Sequence, residues 1–407
     1  PGPVLLDVPK DVAAAPAEPA MARAFRVPAG LERSPDESAL EEAAALLRQA
    51  QRPVLLAGGG VVRARATAAL LEIAGVLRAP VTTTLMALGV VPTDHELFLG
   101  MPGMHGTRCA NTALHEADVV FAVGARFDDR VTGRADRFSP RSKRIHLDVD
   151  ASEHGKIVRA DLCLHGKAAA ALTRLTRNLA GHVPRTAAWL AKLGALPRSA
   201  PMVGAGNGLD PRAVFDAVNE LAPPGTLFVS DVGQHQMWAA QNLRLEEPGQ
   251  FVTSGGLGAM GFGVPAALGA RLAAPQRPVV AIVGDGGFQM TCHELSTMAR
   301  YGVQVVVLVL DNQCLGMVRQ WQQLFHGRRY SEVDLSDNPD FAALARSLGA
   351  HGETVDSAPR LREAFALALQ RPGPTVLHVP VHREGNVFPI VPPGQPANVM
   401  LDREDQP

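Results

Sequence analysis

The segment Val279-Val-Ala-Ile-Val-Gly-Asp-Gly-Gly287 gives the clearest prediction of the fold. Its apolar first half is typical of a buried β-strand, and glycines with one aspartate follow where that strand would end. The next apolar run, residues 305–310, leads into Asp311-Asn312. Because parallel strands present their carboxyl ends at one edge of an open α/β sheet, both polar ends are expected where such folds bind ligands.

The residue types at these two strand ends predict a site for a magnesium diphosphate. Gly284, Gly286 and Gly287 allow the backbone to approach a diphosphate, and the helix that follows offers free N–H groups to it. Asp285 supplies an anionic oxygen and Asn312 an amide oxygen, the ligand types that Mg²⁺ prefers. A capping aspartate in an ordinary strand-turn-helix is the alternative, but the second polar strand end favours the metal site.

Strand and helix patterns alternate on both sides of this segment, which predicts βαβ units and parallel sheets. In the first half of the chain the predicted strands are residues 53–57, 80–84, 119–123 and 145–149, and the predicted helices are 38–50 and 65–77. In the second half the predicted strands are 226–230, 279–283, 305–310 and 375–379, and the predicted helices are 211–220, 265–272, 290–301 and 361–369. The predicted fold class is α/β, with two doubly wound domains and mainly parallel sheets.

Proline-rich stretches suggest where the domains begin and end. The predicted order is a remnant of a preceding domain at 1–12, a linker at 13–37, a central domain at 38–180, a linker at 181–208, a diphosphate-binding domain at 209–395 and a tail at 396–407. Residues 3–8 are predicted to be the last strand of that preceding domain, because a single strand is not stable by itself.

The composition limits the classes of function. Apolar residues make up 46% and charged residues 19% of the 407, with a net charge of −1, which is typical of a globular protein. Without a basic stripe, neither nucleic acid nor an anionic membrane is an expected partner. The four cysteines lie far apart, which favours free thiols in a reducing cytoplasm over a zinc site or disulfides. Arginine outnumbers lysine, which hints at a GC-rich bacterial source.

Four longer segments surround the predicted site. They are Asp231-Val-Gly-Gln-His-Gln-Met-Trp-Ala-Ala-Gln241, Ser254-Gly-Gly-Leu-Gly-Ala-Met-Gly-Phe-Gly-Val-Pro-Ala-Ala267, Gln313-Cys-Leu-Gly-Met-Val-Arg-Gln-Trp321 and Asn386-Val-Phe-Pro-Ile-Val-Pro-Pro-Gly394. Together with the two strand ends, they resemble the catalytic large subunit of acetolactate synthase (acetohydroxyacid synthase), a thiamine-diphosphate transferase. The resemblance covers essentially the whole chain.

The resemblance implies thiamine diphosphate and Mg²⁺ in the second domain. Magnesium would be held by Asp285, Asn312 and the backbone carbonyl of Cys314. The implied contacts of thiamine diphosphate are Gln234, His235, Gly258, Met260, Gly284, Gly286, Gly287, Leu315, Gly316 and Met317.

Three of the side chains near the cofactor would serve catalysis in the family. Met260 would support the bent shape of the cofactor, Met317 would border the same pocket, and Trp321 would favour 2-oxobutanoate as the second substrate. From the residues alone, Met260 could equally be a flexible core residue and Trp321 an amphipathic-helix residue. A surface turn residue is the alternative for His235, which the Gly-Gln-His-Gln context disfavours.

A flavin is implied for the first domain. Gly58-Gly59-Gly60 follows a strand but is a weak dinucleotide fingerprint, because Arg63 replaces the third glycine. By resemblance the FAD contacts would be Gly58, Gly59, Gly60, Thr84, Leu85, Met86, Gly103, Met104, His105, Gly106, Gly124, Arg126, Asp128, Arg130, Val131, Asp148 and Val149. Arg126 and Arg130 could pair with the flavin diphosphate, and a solvated, ion-paired surface is the alternative. The family has an acidic residue where this chain has Lys167, which predicts weaker flavin binding.

The implied reaction belongs to the biosynthesis of the branched-chain amino acids valine, leucine and isoleucine. Pyruvate is decarboxylated, and the hydroxyethyl unit is condensed with pyruvate or 2-oxobutanoate. A homodimer or homotetramer and a regulatory small subunit are the expected partners.

One catalytic group of the family has no match in this chain. Its general-base glutamate belongs to an N-terminal pyrimidine-binding domain, and Glu294 is better explained by helix packing. We therefore expect this chain to lack that domain and to be inactive alone. The alternatives are another thiamine-diphosphate 2-oxo acid decarboxylase or carboligase, and a truncated, non-catalytic cofactor-binding subunit.

Overall fold

The computed structural model describes residues 5–16, 34–197 and 208–402. The chain divides after Arg33 into two units. In the first unit the described residues form one short helix, α1 (Lys10–Ala14). The strand predicted at 3–8 is wrong for its described part, since residues 5–8 have no strand and Leu5 is 91% exposed. Most of the predicted linker at 13–37 lies outside the described residues.

The first sheet lies in the second unit and has five parallel strands. They are β1 (Pro53–Ala57), β2 (Val81–Thr83), β3 (Val119–Val123), β4 (Lys143–Asp148) and β5 (Leu162–His165). Their order across the sheet is β2-β1-β3-β4-β5. The chain direction across the sheet reverses between β1 and β3, where open α/β sheets form a crevice for ligands. Both of these strands are fully buried, because helices cover the two faces of the sheet.

The helices of this first region bury one apolar face each. They are α2 (Glu37–Gln49), α3 (Gly59–Arg63), α4 (Thr67–Leu77), α5 (Arg108–Glu116), α6 (Asp129–Thr132), α7 (Ala168–Asn178) and α8 (Ala187–Gly194). Helix α8 lies inside the segment predicted to be a linker. It is helical because Trp189 and Leu193 are buried against the first sheet, and Trp189 Nε1 donates to the carbonyl of Pro53 (3.3 Å).

The second sheet has six parallel strands. They are β6 (Leu227–Ser230), β7 (Phe251–Thr253), β8 (Val279–Gly284), β9 (Val306–Asp311), β10 (His351–Thr354) and β11 (Thr375–Pro380), in the order β10-β11-β9-β8-β6-β7. The central strands β8 and β9 are buried throughout, which explains their continuous apolar runs. Two parallel, helix-covered sheets confirm the predicted α/β fold class.

The helices around the second sheet set the positions of the strand ends. They are α9 (Pro211–Leu221), α10 (Gln234–Asn242), α11 (Gly263–Ala273), α12 (Asp285–Thr291), α13 (Glu294–Arg300), α14 (Gly316–Phe325), α15 (Phe341–Ser347) and α16 (Ala358–Gln370). The single helix predicted at 290–301 is wrong, because this range contains the end of α12 and the whole of α13. Helix α12 starts directly at the end of β8 and stops before α13 begins. Helix α9 begins as its sequence predicts, with Asp210 accepting from the N–H of Arg212 (2.8 Å) and Pro211 in the first turn.

The two sheets share one hydrophobic core. A single cluster of buried residues includes Leu55 of β1 and Ile282 of β8. Hydrogen bonds cross the same junction, since Nε2 of Gln241 donates to the carbonyls of His105 (3.0 Å) and Phe388 (3.2 Å). The predicted domain limits stay predictions. Within the described ranges, no helix has the length and apolar character needed to cross a membrane.

Candidate functional site

The two predicted strand ends lie side by side. Strands β8 and β9 are neighbours, and Gly284 of β8 lies opposite Leu310 of β9. Asp285 therefore follows β8 at the level where β9 ends in Asp311, with Asn312 next. All three polar residues are buried. The juxtaposition that the sequence predicts is thus present.

A shared donor holds two carboxylates together at this edge. Nδ2 of Asn338 donates to Oδ2 of Asp285 (2.9 Å) and to Oδ1 of Asp311 (3.1 Å). Nε2 of His378 lies 2.9 Å from Oδ2 of Asp311. Asn338 and His378 were not predicted as site residues, because nothing local in their sequence links them to the Gly-Asp-Gly segment.

The electrostatics of this pair fit a cation. Burial, together with the negative charge of Asp311, raises the pKa of Asp285 to about 7. Burial also opposes ionisation of Asp311, but hydrogen bonds with His378 and Asp285 hold the pKa of Asp311 below its ordinary value. A buried carboxylate that is costly to ionise alone is stabilised by a divalent cation beside it.

The amide of Asn312 is held by a second set of hydrogen bonds. Its Nδ2 donates to Oε1 of Gln234 (2.9 Å), and Nε2 of Gln234 donates to Oε1 of Gln320 (2.9 Å). These bonds engage the nitrogen of Asn312 and leave its Oδ1 as the oxygen available for a metal. The side chain of Gln234, predicted to contact the diphosphate, is thus partly committed to the protein.

The backbone around Cys314 is held in a short antiparallel pair. Leu315 N donates to the carbonyl of Val333 (2.9 Å) and Leu335 N to the carbonyl of Gln313 (3.0 Å), with Cys314 opposite Asp334. This pairing leaves the carbonyl of Cys314 outside the ladder. Burial raises the pKa of the Cys314 thiol to about 12, so the thiol stays neutral and the carbonyl is the better ligand.

The donor set suits magnesium better than a zinc-type ion. Among the described residues, no three histidine, cysteine, aspartate or glutamate side chains are arranged to hold a metal. One carboxylate, one amide oxygen and one carbonyl match the mixed oxygen ligands that Mg²⁺ takes alongside phosphates and water.

His235 lies at the position predicted for the diphosphate end. A Cβ atom on Gly284 would be 2.8 Å from its Nδ1, so the ring lies directly against the start of the Gly-Asp-Gly turn. The ring is buried, which makes the surface-turn alternative wrong and lowers the pKa of His235 to about 3. Its Nε2 is buried with no hydrogen-bond partner among the described residues, a condition that a ligand would relieve.

Met260 lies over the first turn of α12. Its Cε would be 3.7 Å from a Cβ atom on Gly286, and Leu315 lies even closer to the same point. Met260 is 39% exposed, so it is not a core residue. Gly258, in the same loop, has a positive φ of 63°.

Asp231 is a structural residue of this site that was not predicted. Directly after β6, its Oδ1 accepts from the N–H of Val232 (2.6 Å) and of Gly261 (3.0 Å), which fixes the loop that carries Met260. A Cβ atom on Gly287 would be 2.8 Å from its Oδ2. The aspartate at a strand end was the available signal.

The predicted residues of α14 line a cleft. Its volume is about 640 Å³, and its lining residues are Met317, Val318, Trp321, Gln322, His326 and Arg329. The Trp321 ring packs edge-to-face with Phe325 at a centroid distance of 5.6 Å. Met317 and Trp321 thus face one cleft, while Gly316 begins the helix beside Gln234.

Many of the predicted flavin residues gather at the carboxyl edge of the first sheet. Gly58, Gly59 and Gly60 follow β1, and Gly124 follows β3. A Cβ atom on Gly58 would overlap the carbonyl oxygen of Gly124, and one on Gly60 would be 2.6 Å from its Cα. The tight-turn alternative accounts for these glycines, so they do not by themselves indicate a flavin.

The 103–106 loop is held between helices and the C-terminal segment. Gly103 N donates to Oδ1 of Asn111 (2.7 Å), Met104 N to the carbonyl of Arg130 (2.9 Å), and Gly106 N to the carbonyl of Gly103 (2.9 Å). Val391 N donates to the carbonyl of Met104 (2.8 Å). Burial lowers the pKa of His105 to about 4, although a hydrogen bond to the backbone of Pro389 acts in the opposite direction.

The charged flavin candidates form an exposed, ion-paired surface. Arg126 lies 3.9 Å from Asp128, and Arg130 lies 3.4 Å from Asp129. These exposed pairs are weak, so both guanidinium groups remain accessible to an anion. Oδ1 of Asp148, at the end of β4, accepts from Asp150 N (2.9 Å).

The uncharged flavin candidates follow β2 and β4 or lie in α6. Thr84 N donates to the carbonyl of Ala57 (2.9 Å), and Leu85 and Met86 lie against Gly255 of the second region. Val131 is buried in α6, whereas Val149 is exposed beyond β4.

Two protein-family models match this chain. Residues 231–379 match the thiamine pyrophosphate enzyme C-terminal TPP binding domain, and residues 40–175 match the thiamine pyrophosphate enzyme central domain. Thiamine pyrophosphate is thiamine diphosphate, so the first match covers the strand ends described above.

Curated relatives are similar over nearly the whole chain. The acetolactate synthase large subunit of Parasynechococcus marenigrum is 43% identical over 419 residues, which is 100% of this chain and 67% of that protein. Acetolactate synthase isozyme 2 large subunit of Escherichia coli is 42% identical, over 99% of this chain and 72% of that protein. Isozyme 1 of the same organism is 39% identical, over 98% of this chain and 71% of that protein.

The chain thus spans roughly two thirds to three quarters of the length of these three relatives. The three relatives share the name acetolactate synthase, and both matched domains are those of thiamine pyrophosphate enzymes. The C-terminal match includes the sheet edge where β8 and β9 end. The chain belongs to the acetolactate synthase large-subunit family of thiamine-diphosphate enzymes.

Proposed function

We propose that this protein binds thiamine diphosphate with Mg²⁺ at the ends of β8 and β9 and uses it in acetolactate synthesis. Pyruvate is decarboxylated, and the remaining two-carbon unit is joined to pyruvate or 2-oxobutanoate. The observation that carries the proposal is the buried pairing of Asp285 with Asp311-Asn312 at neighbouring strand ends. The relatives' names support acetolactate synthesis as the reaction.

The residues at this edge have separate roles in holding the cofactor. Asp285, Oδ1 of Asn312 and the carbonyl of Cys314 would hold magnesium, which would help to bind the cofactor's diphosphate. His235 and the first turn of α10 contact the diphosphate, since Nε2 of His235 has no partner among the described residues. When bound, thiamine diphosphate supplies the carbanion-stabilising chemistry that decarboxylation requires.

The cleft on α14 accepts the second 2-oxo acid. Trp321 and Met317 give it apolar walls, and Arg329 gives it a positive charge for a carboxylate. An added methylene, as in 2-oxobutanoate, gains contact with such walls. The large-subunit names of the relatives support a small partner subunit. A homodimer or homotetramer is part of the proposal.

FAD is proposed for the carboxyl edge of the first sheet. Arg126 and Arg130 are exposed, and we assign them to the flavin diphosphate and Asp148, at the end of β4, to the adenosine end. Lys167 in place of an acidic residue is expected to weaken this binding. Absorbance spectra of the purified protein, with and without added FAD, test this proposal.

Calorimetric titration with thiamine diphosphate, with and without Mg²⁺, tests the site. Wild-type protein is expected to bind in a Mg²⁺-dependent manner. Asp285→Asn and Asn312→Leu should weaken binding by more than the roughly 10- to 100-fold typical of residues outside the metal's ligand shell. Glu294→Gln, on α13, should bind like the wild type. Equal binding by all four proteins would refute the site.

Product analysis tests the reaction. A polypeptide of these 407 residues is expected to bind the cofactor without forming acetolactate, because none of its acidic residues matches the family's general-base glutamate. Supplying a relative's pyrimidine-binding domain as a separate polypeptide should restore acetolactate. Turnover by the chain alone would contradict this expectation, and acetaldehyde as the restored product would favour a simple decarboxylase.

A further inference from the structure

Gln320 is a fully buried amide whose hydrogen-bonding groups contact both a backbone segment and the cofactor site. It lies on α14 and is 0% exposed. Its Nε2 donates to the carbonyl of Val387 (2.9 Å), and its Oε1 accepts from the N–H of Val387 (2.8 Å). The same Oε1 accepts from Nε2 of Gln234 (2.9 Å).

These bonds connect a backbone amide to the predicted magnesium ligand. Gln234, held by Gln320, accepts at its Oε1 from Nδ2 of Asn312 (2.9 Å). The connection is tightly packed, because a Cβ atom on Gly316 would overlap Oε1 of Gln234 and be 2.6 Å from Nδ2 of Asn312. No side chain can be added there without displacing these amides.

The direction of every bond in this series is fixed by the backbone. An N–H group can only donate and a carbonyl can only accept, so Val387 determines which end of the Gln320 amide is oxygen. Gln234 must then turn its nitrogen to Gln320 and its oxygen to Asn312. A reversed amide at any position would place two donors or two acceptors face to face in a buried site, which is costly.

We propose that Gln320 is a positioning residue that orients the Asn312 amide, so that Oδ1 faces the cation and Nδ2 faces the protein. The inference rests on the proposed function, in which Asn312 is a magnesium ligand. It also makes α14, whose exposed side carries Met317 and Trp321 of the cleft, part of the support of the metal site. We therefore expect a substitution at Gln320 to change Mg²⁺ binding directly and substrate binding only indirectly.

The test is calorimetric titration of Mg²⁺ into protein saturated with thiamine diphosphate, which does not depend on catalytic activity. Gln320→Met keeps the side-chain size and removes its polar groups, and it should weaken Mg²⁺ binding about 10- to 100-fold. Gln320→Glu, protonated in its buried position, can still donate to Val387 and accept from Gln234. It should restore most of the affinity.

A matched control separates positioning from general destabilisation. Gln323 lies one turn further along α14, and its Oε1 accepts from Nδ2 of Asn386 (3.1 Å) and from Nη1 of Arg319 (3.2 Å). Gln323→Met should lower the melting temperature without cofactor but leave Mg²⁺ affinity unchanged. If Gln320→Met does not fold, Gln320→Asn, too short to reach both partners, replaces it.

The outcomes distinguish the two proposals. If Asn312→Leu binds Mg²⁺ like the wild type, the proposed metal site fails. If Asn312→Leu weakens binding while Gln320→Met does not, only the role of Gln320 is refuted. Equal weakening by Gln320→Met and Gln320→Glu would also refute it, because Glu preserves the orientation of the Asn312 amide.

Discussion

Asn338 occupies a demanding position, because it is the one side chain whose amide nitrogen contacts both Asp285 and Asp311 in the described structure. Two buried carboxylates repel each other unless donors or a cation lie between them. By donating to Oδ2 of Asp285 and to Oδ1 of Asp311, Asn338 fixes the position of the two carboxylates relative to each other. The geometry of the predicted metal ligand therefore depends on a residue in a loop far along the chain.

Replacing Asn338 by leucine should weaken Mg²⁺ binding about 10- to 100-fold, the usual cost of losing a residue that orients a metal ligand. Calorimetric titration of Mg²⁺ in the presence of thiamine diphosphate measures the change. Gln289 contacts Asn338 from its exposed side (2.8 Å), so Gln289→Leu should have a smaller effect. An unchanged affinity in Asn338→Leu would show that the carboxylates orient themselves.

His105 should make the folded protein sensitive to mild acid. Burial lowers its pKa from 6.5 to about 4, and the positive charge of Arg130 acts in the same direction. Between these two values the unfolded chain binds a proton that the folded chain does not, so the free energy of unfolding falls as pH drops through this range. The contribution of His105 to the decrease in the free energy of unfolding between pH 8 and pH 5 is roughly 2 kcal/mol.

Urea unfolding at pH 8 and pH 5 of the wild type and of His105→Gln measures this contribution. The variant should lose less stability on acidification than the wild type, because glutamine takes up no proton. The comparison at each pH cancels the contributions of Asp285 and His235, which both proteins retain. Identical losses in the two proteins would contradict the assignment to His105.

Among the secondary-structure elements, the turn from β1 into α3 packs its backbone directly against the turn that follows β3. Gly58 and Gly60 contact Gly124, which follows β3, at the point where the direction of the first sheet reverses. The backbones of the two turns are therefore in direct contact, which is possible because these glycines have no side chains. This contact sets the shape of the crevice at this edge.

Gly58→Ala should lower the free energy of unfolding by about 1–3 kcal/mol or more, because its Cβ would overlap the carbonyl of Gly124. Gly75→Ala is the matched control, since Gly75 lies in α4 with no atom within 4 Å of an added Cβ. That substitution should stabilise the protein by about 0.5–1 kcal/mol. Chemical denaturation measures both, and a neutral Gly58→Ala would contradict the packing argument.

For the molecule from Ser34 onward, the two sheets behave as one compact unit. The shared core and the bonds of Gln241 to His105 and Phe388 join them. Thr93 adds a further link, since its N–H donates to the carbonyl of Leu245 (2.9 Å) and its Oγ1 accepts from Leu245 N (2.9 Å). Opening one sheet would expose part of the other.

Scanning calorimetry should therefore show a single cooperative unfolding transition for both sheets. Gln241→Leu, which removes the donor to both carbonyls, should lower the transition temperature or split the transition in two. Gln51→Leu, at an exposed position that follows α2, is the control and should do neither. Two separate transitions in the wild type would show that the shared core does not couple the sheets.

The local pattern of residues was sufficient for much of the fold. Strands β1 and β3 have the predicted limits, β8 ends one residue later than predicted, and β9 begins and ends one residue later than predicted. Strands that are buried on both faces are continuous apolar runs, so they can be recognised in the sequence itself. The Gly-Asp-Gly turn and Asp311-Asn312 were recognisable for the same reason, because each directly follows such a strand.

Short and polar elements were decided only by their tertiary neighbours. Strand β10, with the sequence His-Gly-Glu-Thr, has no apolar pattern and exists because it pairs with β11. Asn338 reaches Asp285 across 53 residues, and Gln320 reaches Val387 across 67. A hydrogen bond between such distant residues leaves no periodic trace in the sequence, because its geometry exists only after the sheets have packed.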